Sequence, residues 1–147
     1  FWFHFIYPHL SESYMMGAEE FYDAYIAPGL DAYLNRYFVE VCMEYLALLG
    51  VVGKTPLKIA KMGTWVGKEG NIDIIAQNEI RQNMVGLCNW SAPVLTMEMC
   101  EELFTAMKKA KIKAEYYFLF SAKGFAEDVI KMAEQNKQFL LVDMNEL

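Results

Sequence analysis

The chain has 147 residues, of which 55% are hydrophobic and 15% are aromatic. This length and apolar content suffice for one domain with its own core, and they exclude an intrinsically disordered chain. The formal net charge of −6 comes from 13 basic and 19 acidic residues. Such a balance argues against nucleic-acid binding driven by overall charge, although a local basic patch stays open.

The spacing of the cysteines and the hydropathy of the sequence indicate the type of cellular compartment. Cys42, Cys88 and Cys100 are widely spaced and form no C-x-x-C pair. This pattern argues against a disulfide framework or a zinc site, and it predicts buried thiols in a reducing, cytoplasmic compartment. No apolar run of about 18 residues predicts a membrane span. The opening FWFHFIYPHL lacks a basic leader and a cleavage site, so we interpret it as entry into a domain in mid-chain.

The first elements are helical. An aromatic and helical entry segment is predicted over residues 1–29, in which residues 12–27 form a short helix. The sequence APGL is expected to break that helix. The clearest helix follows, because apolar residues recur at helical spacing from Leu30 to Leu49. Two glycines just beyond Leu49 are expected to end it.

The rest of the chain combines strands and helices. Strands at 58–67, 71–78 and 81–90 are joined by short connections, which favour an antiparallel meander. The later elements are a helix at 96–110, a strand at 114–122, a helix at 124–136 and a strand at 138–144. A strand–helix–strand unit of this spacing predicts a parallel pair with a crossover helix. The sequence therefore predicts a single α/β domain over residues 1–147, with a mixed central sheet flanked by helices on both faces.

This order of elements is similar to the restriction-endonuclease-like fold of the PD-(D/E)XK superfamily. Several stretches resemble, more narrowly, the domain of unknown function at the C-terminus of archaeal and bacterial AAA-type ATPases. These stretches are FWFHFIYP (1–8), RYFVEVCMEYL (36–46), KMGTWVGKEGNIDIIAQN (61–78), GLCNW (86–90), YYFLFSAKGF (116–125) and FLLVDMNEL (139–147). The resemblance implies that an upstream AAA-type ATPase domain of a longer chain is the partner.

The resemblance also implies a degenerate metal site. In the superfamily, strand carboxylates and an acid on the first helix hold Mg²⁺ or Mn²⁺, and a strand lysine helps to activate water. By resemblance, Glu40 matches the helix acid and Asp73 the first strand acid. Leu87 stands in place of the second carboxylate and Asn89 in place of the lysine. Since leucine offers no oxygen ligand and asparagine no positive charge, no cofactor is expected, and Mg²⁺ or Mn²⁺ would serve only if activity remained.

The neighbouring candidates each have a structural and a functional interpretation. Asp73 is either a residual metal ligand or an acid paired with a neighbour such as Lys68 or hydrogen-bonded to a backbone amide. Gln77 shares strand parity with Asp73 and is a candidate for a polar cluster. Trp65 and Trp90 flank the site, where they would form a core or cleft wall or would stack on a base.

The densest basic run lies at the end of the helix predicted at 96–110. It comprises Lys108, Lys109, Lys111 and Lys113. The sequence favours a solvated helix end, and a phosphate-contacting patch is the alternative.

Together these features predict a non-catalytic accessory domain of an ATPase that mediates interaction with protein or, alternatively, with nucleic acid. One rival is a metal-dependent nuclease whose missing carboxylate comes from Glu40 or Glu79. Another is a self-associating module, a homo-oligomer in which the aromatic entry segment packs against a second copy.

Overall fold

The computed structural model describes residues 1–68 and 70–143. The α-helices are α1 (Leu10–Met15), α2 (Ala18–Phe21), α3 (Ala27–Val51), α4 (Met97–Ala110) and α5 (Glu127–Gln135). π-Helical turns lie at Trp2–Ile6 and Tyr22–Ile26, with a 3-10 turn at Tyr7–His9. The strands are β1 (Lys61–Gly67), β2 (Gly70–Gln77), β3 (Asn83–Asn89), β4 (Tyr116–Ser121) and β5 (Phe139–Asp143).

The five strands form one mixed sheet in the order β1-β2-β3-β4-β5. The first three strands pair antiparallel, while β3 with β4 and β4 with β5 pair parallel. The predicted meander and the predicted parallel pair are therefore both confirmed. The interior strand β4 is an apolar run, YYFLFS, as expected for a parallel strand covered on both faces.

Helices cover both faces of this sheet, which confirms the predicted layering. Phe120 on β4 belongs to the cluster that contains Phe38 and Cys42 of α3. Its neighbour Leu119 belongs to the cluster on the other face, with α4 and with Val129 of α5. Successive strand residues alternate between faces, so β4 joins the two halves of the core. Burial of Phe120 alone contributes roughly 1.5–3 kcal/mol to the free energy of folding.

The entry segment differs from its prediction in two places. The helix predicted over residues 12–27 is interrupted between α1 and α2. The predicted break at APGL is wrong, because α3 begins at Ala27 with Pro28 in its first turn. Proline is tolerated there, since its missing N–H would have no partner in the first turn of a helix. A small separate core of Phe5, Phe21 and Ile26 holds the segment together.

Helix α3 is less covered than its apolar stripe predicts. Phe38, Cys42 and Leu46 are buried, one residue per turn. Tyr37 and Val41, on the same predicted stripe, are 49% and 46% exposed. The sheet therefore contacts one narrow line of the helix, and the rest of the apolar stripe faces outward.

The remaining element bounds agree with the predictions to within three residues at each end. The last predicted strand ran to residue 144, and residues 144–147 of the matching closing motif lie outside the described residues. Across the described parts of the chain, no helix combines the length and the apolar character that a bilayer span requires.

Candidate functional site

Asp73 lies in a β-bulge. Gly63 pairs with Ile75 and Trp65 pairs with Ile72, so Asp73 and Ile74 together face Thr64 alone. The Thr64 hydroxyl donates a hydrogen bond to the Asp73 carbonyl at 2.9 Å. Bulges of this kind bend a strand and redirect a side chain.

The bulge changes which face each residue of β2 occupies. Ile72 packs with Leu103 and Ala106 of α4, whereas Ile74 packs with Phe38 of α3. In a regular strand, residues two apart lie on the same face. The extra residue therefore moves the two isoleucines to opposite faces and aims Asp73 into a cavity beside α4.

The Asp73 carboxylate substitutes for a strand partner. The ladder between β2 and β3 ends at the pair Ile74 and Gly86. Beyond that point the Cys88 amide donates to Oδ2 of Asp73 at 2.9 Å. Burial raises the pKa of the Asp73 carboxyl above its ordinary value, and this hydrogen bond partly offsets the rise. Of the structural interpretations, the hydrogen bond to a backbone amide is the one the structure displays.

Both polar side-chain atoms of Asn89 form hydrogen bonds within the protein. Its Nδ2 donates to the Ala92 carbonyl at 3.1 Å and to the Ser121 hydroxyl at 3.2 Å, and its Oδ1 accepts from the Ala92 amide at 3.1 Å. Asn89 is 5% exposed and Ser121 is fully buried. The side chain thus ties the end of β3 to the end of β4 and to the following turn.

The three cysteines are buried and free, as predicted. A hydrogen bond with Cys42, reinforced by burial and by the nearby Asp73 carboxylate, raises the pKa of the Cys88 thiol well above its usual value. Burial, with smaller contributions from Asp128 and Glu101, raises the pKa of Cys100 to about 11. Neutral thiols are poor nucleophiles, so Cys88 and Cys100 serve packing at neutral pH.

A cavity of about 650 Å³ lies beside these residues. Asp73, Leu87 and Asn89, which the sequence placed in one site, line it together. Its rim is formed by polar and acidic side chains of α3, β2, α4 and the loop after β3, all of them exposed except the half-buried Asn35. They are Asn35, Asn71, Ser91, Glu98, Glu101, Glu102 and Thr105.

Other predicted site residues lie elsewhere. Glu40 lines a separate depression on α3 with Glu44 and Met62. Exposed Lys68 lines a small cavity of about 150 Å³ together with Trp65.

The last two binding candidates have structural contacts of their own. The Gln77 side chain donates to Asn83 Oδ1 at 3.1 Å, across the strand pair. Trp90 packs against Phe38, with ring centroids 5.5 Å apart. The structure therefore separates Trp90 and Gln77 from the Asp73 cavity.

The acidic rim of the Asp73 cavity was not predicted. Glu98, Glu101 and Glu102 lie in the early turns of α4, where acids suit the helix dipole, and with Thr105 they also recur at the spacing of one helix face. That periodicity was the available signal. Among residues 1–68 and 70–143, no group of three or more His, Cys, Asp or Glu side chains is placed to hold a metal ion. The arrangement attracts cations and accepts hydrogen bonds, but its carboxylates do not converge.

Comparisons with known proteins reveal relatives of this chain. The model of a family described as archaeal and bacterial proteins of unknown function, DUF234, matches residues 2–112, well over half of the chain. An uncharacterized protein of Methanocaldococcus jannaschii is 35% identical over 81 residues. That match covers 54% of this chain and 17% of the relative, so the matched segment is a small part of that longer relative. No solved structure matches significantly.

Proposed function

The chain belongs to this family of archaeal and bacterial proteins, and we propose that it acts there as a non-catalytic binding domain of a larger protein. The relative of which it matches only 17% supports the larger context. We further propose that the larger protein is an AAA-type ATPase and that the domain is a degenerate member of the restriction-endonuclease-like superfamily. The support for the fold is the order of elements, a long helix and an antiparallel meander followed by parallel crossovers.

The observation that carries the proposal is the hydrogen bonding of Asn89. Where a nuclease of this type would place a cationic lysine, Asn89 uses both its amide nitrogen and its oxygen to hold Ala92 and Ser121. Leu87, two residues earlier, packs among apolar side chains. Of the two strand carboxylates that such a nuclease would have, Asp73 alone is present, and one of its oxygens accepts a hydrogen bond from the Cys88 amide. These contacts serve the fold and supply neither a second strand ligand nor a charge for a developing oxyanion.

The experiment is a thermal-unfolding titration with Mn²⁺ and Mg²⁺, combined with a nuclease assay. A ligand that binds the folded state raises its apparent stability by mass action. We expect no saturable rise in Tm up to millimolar metal and no cleavage of single- or double-stranded DNA or RNA. Asp73→Ala is compared with Glu40→Gln, a control on a separate surface. A saturable rise that Asp73→Ala removes and Glu40→Gln leaves in place would refute the proposal.

A second candidate, a nuclease with a relocated carboxylate, is favoured by one observation. Glu98, Glu101 and Glu102 of α4 line the same cavity as Asp73, which makes them better placed than Glu40. Glu79, the other predicted source, lies exposed in the turn between β2 and β3. Metal-dependent cleavage that Glu101→Gln and Asp73→Ala both abolish would support this candidate.

We propose that the aromatic entry segment is the surface that contacts the rest of the larger protein. Phe3, Tyr14 and Met15 are 78%, 82% and 87% exposed, an unusual amount of large apolar surface in one short stretch. Self-association through this surface is the alternative. Light scattering at several concentrations separates the two, because a concentration-dependent dimer that Phe3→Ser with Met15→Ser disrupts would identify a second copy as the partner.

A further inference from the structure

A second cavity, of about 600 Å³, lies at the other end of α4 and is not part of the Asp73 site. Its floor consists of the apolar side chains Phe104, Met107, Ile112, Ala114 and Tyr117, and its remaining lining residues are Lys108, Lys111 and Lys113. Pockets for small molecules typically have volumes of about 300–1,000 Å³, mostly apolar walls and a few convergent polar groups. This cavity has each of those properties.

The backbone that carries the lysines is anchored on both sides. The Ile112 amide donates to the Met107 carbonyl at 2.9 Å and thereby closes the end of α4. The Asn83 side chain donates to the Lys113 carbonyl at 2.9 Å, and the Glu115 amide donates to the Asn83 carbonyl at 2.8 Å. The lysines therefore project from a backbone whose path is held by hydrogen bonds.

Exposed and half-buried residues alternate over residues 111–114, which connect α4 to β4. Ile112 and Ala114 pack against the core cluster that α4 shares with the sheet, while Lys111 and Lys113 are exposed. Lys111 and Lys113 thus line the same cavity as the apolar residues Ile112 and Ala114. A favourable interaction with the helix dipole explains a lysine in the last turn of a helix, but Lys113 lies beyond that turn.

The floor offers an aromatic surface that is already rigid. The Tyr117 ring is stacked on Phe139, with centroids 4.6 Å apart and an interplanar angle of 8°. Phe104 meets Tyr117 edge-on at 5.5 Å. Phe139 and Phe104 hold the Tyr117 ring in place, and Tyr117 and Phe104 both line the cavity, so a flat ligand can meet a rigid aromatic surface there.

Charge selects the kind of ligand. The chain carries a net charge of −6 and 13 basic residues, and four of those 13 lie between positions 108 and 113. Three of these four, Lys108, Lys111 and Lys113, line the cavity, so this acidic protein places a local excess of positive charge beside an apolar floor. Lysine ammonium groups bind carboxylate, sulfonate or phosphate groups as point charges.

We propose that this cavity binds a small anion with a flat aromatic body. The anionic group pairs with Lys108 and Lys113, and the aromatic body lies on the floor against Tyr117 and Phe104. This assignment goes beyond the proposed binding-domain function and does not depend on it.

The experiment uses two dyes that share an aromatic body and differ in charge. One is 1-anilinonaphthalene-8-sulfonate and the other is its uncharged parent, N-phenyl-1-naphthylamine. The Kd of each is measured by fluorescence for the parent chain, for Lys108→Gln/Lys113→Gln, and for Lys54→Gln/Lys58→Gln. The last variant is the control, because it also removes two positive charges, but from exposed positions after α3. We expect the sulfonate dye to bind about tenfold more weakly to Lys108→Gln/Lys113→Gln, and its Kd to be unchanged in the control.

Three results would overturn the proposal. Equal weakening in both double variants would show that only overall charge matters. A matching loss of the uncharged dye would show that the substitutions disturb the apolar floor. Displacement of the sulfonate dye by an acidic glutamate-rich peptide, but not by naphthalene-1-sulfonate, would assign the cavity to a peptide segment instead of a small anion.

Discussion

Helix α4 separates two cavities of similar size and opposite character. The cavity at its beginning, of about 650 Å³, has an acidic rim and contains Asp73 and Asn89. The cavity at its end, of about 600 Å³, has a lysine rim and an apolar floor. Asp73 and Asn89 in the first are engaged by hydrogen bonds within the protein, whereas the second presents charges around an apolar surface. The comparison teaches that conspicuous polar residues in a strand can serve the fold, while a plain basic helix end can form the better ligand site.

The opposite charges of the two rims have a common cause. Glu98 lies in the first turn of α4, and Lys108 and Lys109 lie in its last turn. Acidic residues at the beginning of a helix and basic residues at its end both stabilise it by interaction with the helix dipole. A stabilising pattern along one helix therefore contributes to the sign of each cavity.

The largest effect that would test this contrast is expected for Asn89→Ala. The substitution leaves the Ala92 amide and the Ser121 hydroxyl without their partner, and we expect a loss of about 2–4 kcal/mol in the free energy of unfolding. Urea denaturation measures it. Asn71→Ala, on the exposed rim of the same cavity, is the control and should change the free energy of unfolding by no more than about 0.5 kcal/mol. Equal losses in both variants would mean that Asn89 has no special structural role.

A smaller, pH-dependent effect is expected for Asp73→Asn. Burial raises the folded-state pKa of Asp73 above its ordinary value near 3.8. As pH falls through that folded-state pKa, the folded protein takes up a proton more readily than the unfolded chain, so its stability rises until pH falls below 3.8. The variant lacks this contribution.

The difference in free energy of unfolding, parent minus Asp73→Asn, should therefore increase as pH decreases, with a slope of at most about 1.4 kcal/mol per pH unit. Urea titrations at a series of pH values between neutral and 3.5 measure this slope. A difference that is constant with pH, or that decreases on acidification, would contradict the assignment of Asp73 as a buried carboxyl.

The smallest effect is expected at the other end of α4. Lys108→Gln/Lys113→Gln should alter the free energy of unfolding by no more than about 0.5 kcal/mol, because both side chains are exposed and their backbone contacts remain. Thermal unfolding at low and at moderate salt measures this. A loss comparable to that of Asn89→Ala would remove the distinction between a cavity that holds the fold and one that is available to a ligand.

Much of the fold could be predicted because its signals are local. Helical spacing identified α3, short connections identified the meander, and the distance between the last strands identified the crossover around α5. The grouping of Asp73, Leu87 and Asn89 was implied by the resemblance to the restriction-endonuclease-like superfamily, and the three residues line one cavity.

The rest depends on contacts between distant parts of the chain. The bulge is defined by how β2 pairs with β1 on either side of Thr64, and no residue of β2 predicts it. Whether a polar side chain is available to a ligand depends on its partners, and those of Asn89 include Ser121, 32 positions away. The continuity of α3 through Pro28 was missed for a different reason, since proline ends a helix from within but is accepted at its beginning.

The bulge at Asp73 also affects how this strand can be compared with others. A related chain with a regular second strand would have one residue fewer between Ile72 and Ile75, the residues of β2 that pair with β1 on either side of the bulge. Aligned without a gap, every residue on one side of position 73 would be matched to a residue that points into the opposite layer of the protein. Transferring a site from such a relative by counting along the strand would then assign a core isoleucine as a ligand, and a one-residue gap at position 73 would restore the correspondence.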